Sequence, residues 1–207
     1  MSITLLIVII TVLVSYQAME NPVMKASLFF RPYDVAKQKE YYRALTSGFI
    51  HRDWLHLGVN MYVLYIFGEY VESQFVYLFG TLKGRLFFLL VYLATIVFAH
   101  TTSFLKHRNN PGYASLGASG GVSGVLFIYV LFAPWSMLLL FFIIPMPAII
   151  AAVGYLIYSS WASRNANDNI GHDAHIDGAL FGFWFAILLK PSLFSQFLDE
   201  LVRGFPF

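Results

Sequence analysis

Two serines, Ser119 and Ser123, lie in Gly117-Ala118-Ser119-Gly120-Gly121-Val122-Ser123-Gly124, an uncharged stretch that opens an apolar run lasting to about Phe132. A hydroxyl in such surroundings is either a helix-to-helix hydrogen bond or a nucleophile. His56 and Asn60, four residues apart, share one face of a helix, as do Ser119 and Ser123. His172 and His175 lie close to one face of a third segment, with Asp173 and Asp177 on another. A serine and a histidine are the minimum for acyl transfer: the hydroxyl attacks, and the imidazole takes its proton and returns it to the leaving group. The oxyanion formed on attack needs donors, which a backbone N–H and Asn or His side chains supply. The residue types fill every role but do not choose between the serines. Metal chemistry is the rival. His51/His56 and His172/His175 do not form the HExxH pattern of a zinc protease, and the absence of cysteine removes thiol catalysis, disulfides and thiolate-bound metal. No metal and no cofactor are expected.

The elements that must hold these groups are membrane helices. Of 207 residues, 58% are hydrophobic and 12% charged, against a charged share of about 25% in soluble domains. A net charge of +2 without any basic run points away from nucleic acid. Six spans are predicted, at about 3–19, 54–74, 86–105, 115–133, 148–160 and 172–189. The expected fold is an all-α bundle of six transmembrane helices, one domain over 1–207. Met1-Ser2 offers no positive side chain, which favours a retained first span over a signal peptide. Glu20 to Asp53 is polar yet rich in aromatics (Phe29, Phe30, Tyr33, Tyr41, Tyr42, Phe49), so it is expected to fold onto the membrane interface. Trp135 to Pro147 reads as an interfacial connection and Trp161 to Gly171 as a polar loop.

Even-numbered spans cross in one direction, so their starts share one side and a similar depth. The clusters His56/Asn60, Ser119/Ser123 and His172/His175 all open even spans. They therefore converge near one face of the bilayer, where ionisable groups are functional candidates by default. His100 and His107 are assigned hydrogen-bonded or hydrated structural roles, and Asp177 a packing or solvation role.

In this order the residues resemble the rhomboid family of intramembrane serine proteases. Gly117-Ala118-Ser119-Gly120 is similar to its GxSG nucleophile motif. Ala174-His175-Ile176-Asp177-Gly178, with Gly182, resembles AHxxGxxxG, and His56-Leu57-Gly58-Val59-Asn60 resembles HxxxN. Tyr42-Arg43-Ala44-Leu45-Thr46 resembles the family's aromatic-Arg stretch, and Phe49-Ile50-His51 leads into His56 at the usual distance. Glu72, after Gly68, resembles the acidic residue closing the second helix. The resemblance runs from about Tyr42 to Gly182.

It implies a Ser119–His175 dyad without an acid, and an oxyanion site from His56, Asn60 and the Ser119 backbone. Gly117, Gly120, Gly121, Gly178 and Gly182 would pack the helices around the site. Ser119 is then the nucleophile by its GASG context, and Ser123 is packing. Ser123 is also a departure, because many relatives carry an aromatic four residues after the nucleophile, stacked on the histidine. His175 must then be held otherwise, with packing against the glycines of the fourth span as the expected means. Tyr42 in place of tryptophan and Asp177 in place of a small residue are milder departures.

The implied activity is hydrolysis of peptide bonds in or near transmembrane helices, unwound locally by Gly or Pro and cut near the outer face. The implied partners are a membrane-protein substrate and the lipid bilayer, with the 161–171 loop covering the site and the fifth span as a side entrance. The alternative is an inactive rhomboid-like protein that binds membrane-protein clients; intact Ser119 and His175 favour the protease. A transporter would need an inverted repeat, which the sequence lacks. The family topology puts the N-terminus in the cytoplasm, although nine of the thirteen Lys and Arg then lie outside, against the positive-inside rule. Six of the nine sit in the aromatic segment, which folds together with its acids. The expected location is a bacterial inner membrane.

Overall fold

Apolar runs punctuated by proline, glycine and short polar turns set the element order. A computed structural model describes residues 1–140, 143–165 and 170–205. Helix α1 (Ile3–Glu20) is capped by Ser2, whose hydroxyl accepts from the Leu5 N–H. Helices α2 (Pro22–Leu28) and α3 (Pro32–Gln38) each open on a proline, where the missing N–H costs nothing. Helix α4 (Arg43–Thr46) and a 3-10 turn at Ser47–Phe49 follow. The aromatic segment is folded, as expected, around buried Arg43. Its guanidinium donates to the carbonyls of Ala26, Ser27 and Phe29 at 2.7–3.2 Å and pairs with Glu40.

The remaining helices are α5 (Trp54–Phe79), α6 (Thr81–Phe98), α7 (Thr101–His107), α8 (Ser119–Phe132), α9 (Ala148–Asn165), α10 (His172–Leu189) and α11 (Ser192–Arg203). Strands β1 (Met137–Leu140) and β2 (Ile144–Pro147) form an antiparallel hairpin with Met137 opposite Pro147. That hairpin occupies the stretch read as an interfacial connection; its leucines and prolines carry no alternating pattern to announce strands.

Several boundaries depart from expectation. The third span starts at Thr81, because Lys83 and Arg85 extend the helix beyond its apolar part, and it breaks at Ala99 and His100. Asp177 stabilises the break, accepting the Thr102 N–H at 2.7 Å and hydroxyl at 2.8 Å. Helix α8 starts at Ser119 rather than 115, because the preceding residues are drawn out by backbone bonds to other segments, Ser115 pairing with Phe30. Helices α5 and α9 run past 74 and 160, to Phe79 and Asn165. Of the predicted loop at 161–171, residues 166–169 lie outside the described residues. Helix α10 has the predicted bounds.

Among the described residues, α1 and the stretch 81–107 are each long and apolar enough to cross a membrane. Helices α10 and α11 qualify only as a pair bent by 114°. Helix α5 is longer but carries His56, Asn60, Glu69, Glu72 and four tyrosines, and α8 has 14 residues. Length and composition thus support two spans, or three with the bent pair, rather than six.

Helix α8 lies at the centre, with ten of its 14 residues buried, and α10 packs on it backbone to backbone. A Cβ on Gly178 would sit 2.1 Å from the Gly120 carbonyl oxygen, and one on Gly182 would sit 2.6 Å from the Gly124 Cα. Both helices advance by four residues between these contacts in the same direction, so they run parallel. Helix α1 is anchored by Glu72, buried on α5, whose carboxylate accepts the N–H groups of Ile3 and Thr4 at 2.9 and 2.8 Å. This is a negative charge on a helix N-terminus, balanced by Arg85 Nε at 3.3 Å.

The close α8–α10 contact makes a direct prediction. Gly178→Ala lowers stability by about 1–3 kcal/mol, the usual cost of overpacking. Gly154→Ala, with nothing within 4 Å of the added methyl, does not. Thermal unfolding of the two variants in detergent measures the difference.

Candidate active site

The loop entering α8 is fixed from three directions before Ser119 is reached. Ser115 and Phe30 exchange backbone hydrogen bonds at 2.9 and 3.0 Å, Gly117 N–H donates to the Ser47 carbonyl at 2.9 Å, and Ala118 N–H donates to His51 Nε2 at 3.2 Å. Ser15 on α1 donates its hydroxyl to the Phe49 carbonyl at 2.9 Å, so its oxygen accepts from His51 Nδ1, also at 2.9 Å. His51 is thereby held as the neutral Nδ1–H tautomer, fully buried. Burial, and then the neighbouring His56, push its pKa down to about 3. Its ring meets that of His56 edge-on with centroids 4.9 Å apart.

His56 and Asn60 are set by the start of α5. Asp53 caps this helix, accepting the His56 N–H at 2.8 Å. That bond and the Arg52 side chain hold its carboxyl below the usual range. Asn60, buried, donates one amide N–H to the His56 carbonyl at 2.8 Å, which fixes its side chain and leaves a second N–H on the same nitrogen. The His56 imidazole lies against Gly117, where a Cβ would be 2.6 Å from Cε1 and 2.9 Å from Nε2. Gly117 also has φ of +121°, so a side chain is disfavoured there on two counts.

Ser119 is the first residue of α8, half-buried. The first N–H groups of a helix have no carbonyl within it to bond. Ser119, Gly120 and Gly121 face a cavity of about 750 Å³, also lined by His56, Asn60, Gly117, Ser123, Tyr155 and His175. The cavity therefore gathers every predicted member of the dyad and oxyanion set. Gly178 and Gly182 stand behind it on the α8–α10 contact, three and seven residues beyond His175. Because the helices are parallel there, Ser119 and His175 come from the same end of the pair.

The residues match known proteins over most of the chain. Residues 38–192 match the rhomboid domain. The chain belongs to the rhomboid family. It is 30% identical over 161 residues to RHOMBOID-like protein 12, mitochondrial, of Arabidopsis thaliana, covering 73% of this chain and 47% of that protein. It is 34% identical over 162 residues to Rhomboid-like protein 11, chloroplastic, from the same plant, covering 72% and 53%. It is 30% identical over 147 residues to the human Presenilin-associated rhomboid-like protein, mitochondrial, covering 68% and 36%. The match thus spans about half or less of these relatives' own length. Their names place them in mitochondria or chloroplasts, so they lend no support to the bacterial inner membrane expected above. A helical membrane protein is what the family supports.

Within this rhomboid, other histidines serve structure. His100 is buried, bonded through Nε2 to Ser47 Oγ at 3.0 Å and stacked on Phe30 at 3.9 Å. His107 stacks on Tyr113 at 3.8 Å. Asp177 caps α7, and Asp173 ties Lys106 and Ser163 to α10. The sequence reading missed two residues at the site. One is His51 as the clamp on the loop entering α8, a pairing across 67 positions that no local pattern reveals. The other is Tyr155, the large side chain on a face of α9 whose buried residues are Ala148, Ala152, Ser159 and Ala162.

His51 makes stability depend on pH. Unfolded, a histidine takes its proton near 6.5; folded, His51 takes it only near 3. Between these values the unfolded chain binds more protons, so stability falls as pH falls, by up to about 1.4 kcal/mol per unit from this residue. Thermal midpoints in detergent between pH 7 and 4 are expected to drop more steeply for the wild type than for His51→Gln.

Proposed function

We propose that this rhomboid is an intramembrane serine endopeptidase in which Ser119 attacks a peptide carbonyl and His175 relays the proton. The observation that carries the reading is the shared cavity, which holds a serine, a histidine, an asparagine amide and helix-start N–H groups. His175 takes the Ser119 proton as the hydroxyl attacks and returns it to the leaving amine. The oxyanion is received by the Ser119 N–H, the second N–H of Asn60 and His56, donors fixed in place before the charge develops.

Peptide hydrolysis needs water, and the length of α8 supports a way to admit it. Fourteen residues rise about 21 Å, short of a hydrocarbon core of about 30 Å. If the helix ends at one surface, Ser119 starts it within the membrane, and the cavity above is the water-filled entry. We place α1, α5, 81–107, α8, α9 and α10 as the six spans, since short and polar spans are tolerated where they line a cavity. A substrate of matching chemistry is a transmembrane helix opened locally by Gly or Pro near the same depth.

The test is cleavage of a model transmembrane substrate by protein reconstituted in vesicles. Ser119→Ala and His175→Ala are expected to lose at least ~10³-fold in kcat, Asn60→Ala about 10²-fold, and Ser123→Ala less than ~10-fold. Cleavage by Ser119→Ala at the wild-type rate overturns the assignment. A wild type that retains the substrate without cutting it supports client binding instead.

A further inference from the structure

The position four residues after the proposed nucleophile is Ser123, which has no ring to lay against His175. A ring is supplied from elsewhere. Tyr155 on α9 lies offset-stacked on His175, with centroids 5.8 Å apart and planes 22° from parallel. Its hydroxyl is hydrogen-bonded to Ser123 Oγ at 2.7 Å. Ser123 is buried on α8 one turn beyond Ser119, and both it and Tyr155 line the cavity. Phe127, one further turn along α8, packs on the same tyrosine with centroids 6.3 Å apart. The His172 ring also meets that of His175 nearly perpendicularly, with centroids 5.8 Å apart.

We propose that Tyr155 is the positioning residue for His175, with Ser123 as its latch, an inference that rests on the dyad reading above. A histidine ring turns about two side-chain bonds, and a flat neighbour restricts it to orientations parallel to that neighbour's face. When His175 accepts the Ser119 proton it becomes a cation, and the negative face of an aromatic ring stabilises a cation placed over it. Ser123 and Tyr155 thus exchange parts: the hydroxyl stands on α8 and the ring comes from α9. The site is therefore complete only while α9 is docked. The buried face of α9 suits this, because small residues above and below let the backbone come close enough for one ring to reach the site.

The test is the rate at which a fluorophosphonate probe labels Ser119 in detergent-purified protein. The probe is small and does not need to enter as a helix, so the rate reports the dyad rather than substrate docking. Tyr155→Leu is expected to label about tenfold more slowly than wild type, the scale of one lost aromatic pair. Tyr155→Phe keeps the ring and is expected within about threefold of wild type, the scale of one neutral hydrogen bond. Ser123→Ala should match Tyr155→Phe, and the double variant should be no slower than either, because both remove the same bond. Thermal midpoints run alongside. Wild-type labelling that requires His175, with Tyr155→Leu labelled equally fast, overturns the positioning role and leaves the dyad standing. Equal slowing by Phe and Leu also overturns it. A wild type labelled as fast after His175→Ala removes the dyad reading and this inference with it.

Discussion

The structure depends on one contact, the backbone-to-backbone packing of α8 on α10. Apolar side chains gain little by meeting each other in lipid, because lipid tails are as apolar as they are. Close approach of two backbones gains dispersion energy that lipid cannot match, and it requires glycine on both sides. Here Gly120 faces Gly178 and Gly124 faces Gly182, a spacing of four on each helix. The register fixes more than distance. Since Ser119 precedes one end of this ladder and His175 precedes the same end on the other helix, any packing that satisfies the glycines also gathers the two side chains.

Around that contact, the polar groups are held by partners drawn from far along the chain. Asp53 caps α5, Asp177 caps α7, and Glu72 receives the first N–H groups of α1. Each puts a carboxylate on a helix start, where the backbone has donors to spare. The loop entering α8 is also tied to distant segments, through His51 to α1 and through Ser47 to the aromatic segment. The folded aromatic segment is thus part of the frame that aims Ser119, and it is itself organised by Arg43 reaching three carbonyls.

Much of this was legible in the sequence because short motifs encode local geometry. Glycine spacing announced the α8–α10 contact, and polar pairs at the starts of what became α5, α8 and α10 announced the convergence at one cavity. Helix α10 has its predicted bounds because Gly171 and Pro191 flank a run that contains no proline. Other features were not legible because they are long-range. The start of α8 depends on backbone bonds to Phe30, Ser47 and His51, and the hairpin at 137–147 has no alternating pattern. The ring on His175 comes from a residue 32 positions beyond Ser123, so the absence of an aromatic at position 123 was visible while its replacement was not. The span count suffered for another reason. Helices that line a cavity need not be long or uniformly apolar, so α5 and α8 do not look like isolated membrane helices.

The central claim is that the glycine contact delivers Ser119, and not Ser123, to His175. An experimental structure of the protein after reaction with a fluorophosphonate tests it most directly. Phosphorus is expected bonded to Ser119 Oγ, its oxygen directed at the Ser119 N–H and Asn60, and the His175 ring beside it with Tyr155 still stacked. An adduct on Ser123, or one on Ser119 with His175 turned away from it, would contradict the account.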